Sequence, residues 1–142
     1  MATYTGIIYK LIGNDHYYYG STINSLEMRY YSHKYHPRNT SSFVYLYFDS
    51  IGWENVSIEK VDEITYINYN QLLEEENKYI IKHYNDPLCL NTKLAIRDKN
   101  FVRTINKKLS HEQIHDYRSK STKFVSSKNP RYNNWFGNSI SQ

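Results

Sequence analysis

The stretch from residue 6 to residue 22, Gly6-Ile7-Ile8-Tyr9-Lys10-Leu11-Ile12-Gly13-Asn14-Asp15-His16-Tyr17-Tyr18-Tyr19-Gly20-Ser21-Thr22, decides the fold. Residues 6–12 are β-branched and aromatic and read as a strand; residues 15–22 read as a second one. Gly13-Asn14 between them is a residue pair that favours a two-residue hairpin turn. With that pair as the loop, Ile12 faces Asp15 and Tyr9 sits directly opposite Tyr18 on one face of the sheet.

Outward from the hairpin, Asn24 and Glu27 have the spacing of a helix N-cap and its capping-box carboxylate. The helix they open runs through Arg29, Tyr30 and His33 and stops before Pro37. Arg29, His33 and His36 share one face of it. Residues 43–50 read as a short helix, with a strand as the alternative, and Gly52 breaks the element. Val56 to Ile64 alternates apolar and polar residues with one slip, the pattern of a third strand carrying a bulge. The strongest helical pattern spans residues 66–84, where Leu72, Leu73, Ile80, Ile81 and Tyr84 recur at helical spacing. Glu76 falls on that apolar stripe, while Glu74 and Glu75 point elsewhere. A carboxylate aimed at a core is costly unless it is paired, protonated or metal-bound; at the edge of the stripe it would simply meet water or a lysine.

Charge divides the chain of 142 residues. Residues 1–96 carry 8 Lys+Arg against 11 Asp+Glu, a net of −3, and residues 97–142 carry 10 against 3, a net of +7. A basic segment of this kind is drawn to polyanions, because phosphate contacts release condensed counterions. Aromatic residues interleave with its cations in Lys128-Asn129-Pro130-Arg131-Tyr132-Asn133-Asn134-Trp135-Phe136, which favours nucleic acid over a bare solvating tail. Its apolar periodicity is slight, although Ser110-His111-Glu112-Gln113 has the form of a capped short helix.

No run approaches the ~18 apolar residues of a membrane helix. The first residues lack the layout of a signal peptide, and a lone cysteine, Cys89, offers neither an internal disulfide nor a cysteine-rich zinc site. An intracellular, non-secreted protein is the expectation. The 16 tyrosines accompany abundant Asn, Ile and Lys, all with A/T-rich codons, a usage that suits a virus, phage or other mobile element.

A Tyr on strand one, a Tyr opposite it, an Arg on the next helix and a Glu on a later helix together resemble the GIY-YIG nuclease superfamily. The first half-motif stands as Gly6-Ile7-Ile8-Tyr9 and the second as Tyr18-Tyr19-Gly20. Arg29 and His33 are similar to the family's "R…H" helix, and Gly52-Trp53-Glu54-Asn55-Val56 is similar to the segment that introduces its third strand. Glu76 followed by Leu90-Asn91 resembles its metal-binding Glu and closing "LN". The resemblance covers residues 4–95, and its strength lies in five short motifs in the right order. Some homing-type members of the family place a catalytic histidine a dozen or so residues after the arginine. Residues 38–42 here contain none, so the resemblance implies His33 or His36 for proton handling, or the tyrosines alone.

The expected architecture is an α/β chain of the α+β kind: a small three-stranded antiparallel sheet flanked by helices. A catalytic domain over 1–95 would precede a basic, partly disordered, nucleic-acid-binding tail over 96–142. The resemblance implies a divalent-metal-dependent DNA endonuclease, with double-stranded DNA as partner and Mg²⁺ or Mn²⁺ as cofactor. Tyr9, Tyr18, Arg29, His33 and Glu76 would form its catalytic site. Glu76 would hold the metal, Arg29 the scissile phosphate, and Tyr9 would be the general base. Asn91, Lys107, Lys108, Lys128, Arg131 and Trp135 are assigned to nucleic-acid contacts. A nucleic-acid-binding protein that keeps the fold without turnover is the alternative.

Overall fold

The structure, a computed structural model, describes residues 2–36 and 42–121. Three antiparallel strands, β1 (Tyr4–Gly13), β2 (His16–Thr22) and β3 (Ser57–Tyr66), form one sheet in the order β2-β1-β3. The helices are α1 (Leu26–Lys34), α2 (Phe43–Ile51), α3 (Tyr69–His83) and α4 (His111–Lys120), with a 3-10 turn at Trp53–Asn55. This is the α+β arrangement expected from the sequence. The central β1 is buried on both faces. Tyr9 and Leu11 pack with Val44, Phe48, Trp53 and Val56 on one side, while Ile8 packs with Leu72 and Tyr66 on the other.

The hairpin turns one residue later than the Gly13-Asn14 pair suggests. Gly13 pairs with His16, and Asn14 and Asp15 form the loop with φ of 53° and 71°. A two-residue turn that follows the strand twist needs positive φ at both central positions, which Asn and Asp tolerate. Gly13 thereby stays in the strand, buried against Phe48, Ile51 and Val56. Tyr9 is opposite Gly20, and Leu11 is opposite Tyr18. The register moves by two, an even number, so Tyr9 and Tyr18 keep a common face as diagonal neighbours rather than as a direct pair.

The slip expected in the third strand is present, because the β1–β3 register jumps between Ile8↔Asp62 and Tyr9↔Lys60 and leaves Val61 as the extra residue. Helix α1 is capped by Ser25, whose hydroxyl accepts from Met28 N at 3.1 Å, rather than by Asn24; the Asn24 N–H instead donates to Thr22 Oγ1. Residues 43–50 are helical. Helix α3 begins after Tyr66 has completed β3, with Asn68 and Gln71 forming its capping box.

The open edge of β2 is covered by residues 88–91: Tyr17 N donates to Leu88 O, and Leu90 N donates to Tyr17 O. The basic segment does not swing free between residues 96 and 121. Phe101 packs on Tyr84, and α4, capped by Ser110, lays Tyr117 against Phe43 and Tyr47 of α2. The boundary at 95/96 therefore marks a change of charge, not an end of packing. Among the described residues no helix is long and apolar enough to cross a membrane.

Candidate active site

Tyr9 has no exposed surface, and two α1 side chains converge on its hydroxyl. His33 Nε2 lies 2.6 Å away in a hydrogen bond, and Arg29 Nε donates to the same oxygen at 3.0 Å. The four-residue spacing of Arg29 and His33 makes this possible, since both leave α1 towards the sheet. Gly20 explains how the ring lies flat across β2. A Cβ there would stand 2.5 Å from Tyr9 Cζ, so only a residue without one leaves the space.

His33 is 2% exposed, and its second ring nitrogen, Nδ1, is 3.0 Å from the Tyr45 hydroxyl. The imidazole stacks on Trp53 at 6.4 Å and meets the edge of Tyr18 at 5.9 Å. Trp53 is fixed in turn by donating Nε1–H to Asp49 at 2.6 Å. Tyr18, unlike Tyr9, is half-buried and lines a cleft of about 1010 Å³.

Glu76 reaches the same cleft from α3. It is 8% exposed, and its Oε1 accepts from Ser21 Oγ at 2.5 Å. Ser21 is two residues beyond Tyr19 and therefore on the α3 side of β2. Glu76 thus lies on the buried stripe, not at its solvated margin. Exposed Lys93, Arg103 and Lys108 stand on the rim of the cleft.

The electrostatics follow from this crowding. Burial pushes the Tyr9 hydroxyl far above its ordinary range, against the opposing charge and hydrogen bond of Arg29. Burial, with Tyr9 and Glu76 adding, does the same to Tyr18. Burial also raises Glu76, while the Ser21 hydrogen bond and Arg29 pull it back. For Arg29 burial works downward but is outweighed by Tyr9, so the guanidinium is held more firmly charged. Tyr9, Tyr18, Arg29 and Glu76 therefore lie within one another's fields.

Among the described residues no three His, Cys, Asp or Glu side chains cluster as a metal cage. Glu76 is a desolvated carboxylate facing the cleft that Tyr18 lines. One carboxylate completed by water and a phosphate oxygen suits Mg²⁺ or Mn²⁺ rather than Zn²⁺, because Mg²⁺ keeps much of its hydration shell.

Two residues assigned to nucleic acid are engaged elsewhere. Asn91 is 2% exposed, and its amide accepts from Tyr19 N and donates to Tyr19 O, both at 2.9 Å, so it extends the β2 ladder. Lys107 donates to the carbonyls of Cys89 and Asn91 at 3.0 and 2.8 Å and lies over the Tyr84 ring. Both serve as clamps within the fold. Lys108 is exposed on the rim, and Lys128, Arg131 and Trp135 lie outside the described residues. Sequence reasoning missed Ser21 and Tyr45. Ser21 follows the second half-motif directly, which was a signal available to it. Tyr45 was hidden among the apolar residues of α2. No family model, curated protein or solved structure matches this chain.

Proposed function

We propose that this chain is a divalent-metal-dependent DNA endonuclease of the GIY-YIG kind that hydrolyses phosphodiester bonds at the Tyr9/Arg29/Glu76 site. The observation that carries the reading is the Tyr9 hydroxyl held by both His33 and Arg29, with Tyr18, which meets the His33 ring, and Glu76 lining a cleft that has a cationic rim. The order of the sequence motifs and the three-stranded antiparallel sheet support it.

Phosphodiester hydrolysis needs a base for the attacking water, compensation for charge growing on the phosphate, and help for the departing oxygen. Arg29 is permanently charged and donates through a planar fork, so it answers the phosphate. Tyr18 presents its ring to the cleft and orients the water. Tyr9 is the proton acceptor in this reading, which requires the water to reach a hydroxyl that has no exposed surface in this structure. His33 then takes the Tyr9 proton through their 2.6 Å contact while the Arg29 N–H steadies the phenolate. That relay answers the high cost of ionising a buried phenol alone. Glu76, oriented by Ser21, would hold Mg²⁺ or Mn²⁺, which would neutralise phosphate charge and stabilise the leaving oxygen. Lys93, Arg103 and Lys108 would draw the DNA backbone to the cleft.

The test is supercoiled plasmid incubated with Mg²⁺ or with EDTA, with Glu76→Gln in parallel. Metal-dependent nicking or linearisation that is lost in Glu76→Gln is the expected result. Salt-dependent DNA binding with no cleavage in Mg²⁺ or Mn²⁺ would refute it and leave the binding protein without turnover, a reading that the complete burial of Tyr9 favours.

A further inference from the structure

We propose that Tyr45 is a positioning residue for this site, holding the His33 imidazole in the orientation that lets Nε2 receive the Tyr9 proton. The inference deepens the endonuclease reading and rests on it for its catalytic meaning. The contact itself belongs to the fold.

The His33 ring is bracketed by two phenols: Tyr9 at 2.6 Å from Nε2 and Tyr45 at 3.0 Å from Nδ1. A neutral imidazole has one donor and one acceptor nitrogen, and an imidazolium has two donors. When the Tyr9 proton passes to Nε2, the Nδ1–H must still be met by an acceptor, because the ring is sealed from water. The Tyr45 hydroxyl can accept in both states, so a proton can move between Tyr9 and His33 without the ring turning. Trp53 stacking on His33 and His36 stacking on Tyr45 at 4.8 Å hold the rings in plane. Among the described residues, ionisable groups around His33 include Tyr9 from β1, Tyr18 from β2 and Tyr45 from α2. Arg29 acts through Tyr9, and His36 lies behind Tyr45. Among these, Tyr45 is the phenol on Nδ1.

Tyr45→Phe keeps the ring and its stacking and removes only the oxygen. The first measurement is the proton-NMR titration of the His33 imidazole in the full chain without metal, its resonance assigned by its loss in His33→Gln. Tyr45→Phe is expected to lower the midpoint by roughly half to one pH unit, because the imidazolium loses a hydrogen bond that the neutral ring values less. The second is the pH profile of plasmid cleavage. The acidic limb is expected to move down by the same amount, with a plateau roughly tenfold lower and unchanged DNA affinity. Tyr31→Phe, on the outer side of α1, is expected to match the wild type in both. An unchanged midpoint would overturn the proposal, as would a fall in rate and DNA affinity together with no shift of the profile. A wild type that cuts no DNA would end the endonuclease reading, yet the NMR titration would still decide whether Tyr45 governs His33.

Discussion

Replacing Gly20 by alanine tests the geometry of the site through one methyl group. The added Cβ would lie 2.5 Å from Tyr9 Cζ and 3.0 Å from Cε2. Carbon atoms in contact prefer roughly 3.5–4.0 Å, so the ring has to retreat by about 1 Å. It cannot do so freely, because its hydroxyl is bonded to both His33 and Arg29 and the ring is buried against Leu11 and Phe48. Overpacking of this kind costs about 1–3 kcal/mol. Taking about 2 kcal/mol, the melting temperature should fall by roughly 6–8 °C for a chain of this size. On the proposed endonuclease reading, misplacing Tyr9 by about 1 Å should lower the cleavage rate by roughly 100-fold. The assay pairs thermal unfolding with single-turnover plasmid nicking well below the melting point. Gly13→Ala is the control: its nearest clashes are the tip of Ile51 at 2.8 Å and the Phe48 ring at 3.1 Å, neither of them Tyr9 itself, so it should cost some stability and change the rate far less than Gly20→Ala. A Gly20→Ala protein as stable and as active as the wild type would refute the claim that Tyr9 is locked over Gly20.

Glu76 titrates above its ordinary value of 4.5 chiefly because it is buried, so the folded state holds its proton more tightly than the unfolded chain does. Its contribution to stability is intact below the unfolded value and is lost as pH rises through the folded one. In EDTA, Glu76→Gln should therefore melt above the wild type at pH 7, with the gap closing towards pH 4.5; a gap independent of pH would contradict this. Mg²⁺ should raise the melting temperature of the wild type and leave Glu76→Gln unmoved. Asn91→Ala strands the buried N–H and C=O of Tyr19 and should cost about 2–4 kcal/mol in denaturant unfolding while the folded fraction binds DNA as before. Lys108→Ala should weaken DNA binding by anisotropy and reduce the salt slope by about 0.9 without changing the melting temperature. Lys107→Ala should lower it by withdrawing a donor from two carbonyls.

The sequence by itself determined what short-range physics controls. β-branched and aromatic runs gave the strands, apolar periodicity gave α3, the Ser110 capping pattern gave α4, and the broken alternation after Val56 gave the bulge. The same periodicity placed Arg29 and His33 on one side of α1 and Glu76 on the buried side of α3. The tertiary structure decided everything that depends on which distant surfaces meet. Turn choice is a contest of small local energies, and burial of Gly13 beneath Phe48 and Ile51 moved it to Asn14-Asp15. Asn91 carries no local signal that distinguishes an amide offered to a ligand from one closing a strand edge; its partner, Tyr19, is 72 residues away. Charge composition described residues 96–142 as a tail, because it cannot register that Phe101, Lys107 and Tyr117 find partners on the body. Tyr45 became visible only when α2 brought it to His33, and Ser21, although it adjoins the second half-motif, gained its partner only when α3 brought Glu76 to it. A hydroxyl's role is set by the group within 3 Å of it, and spacing along the chain does not specify that group.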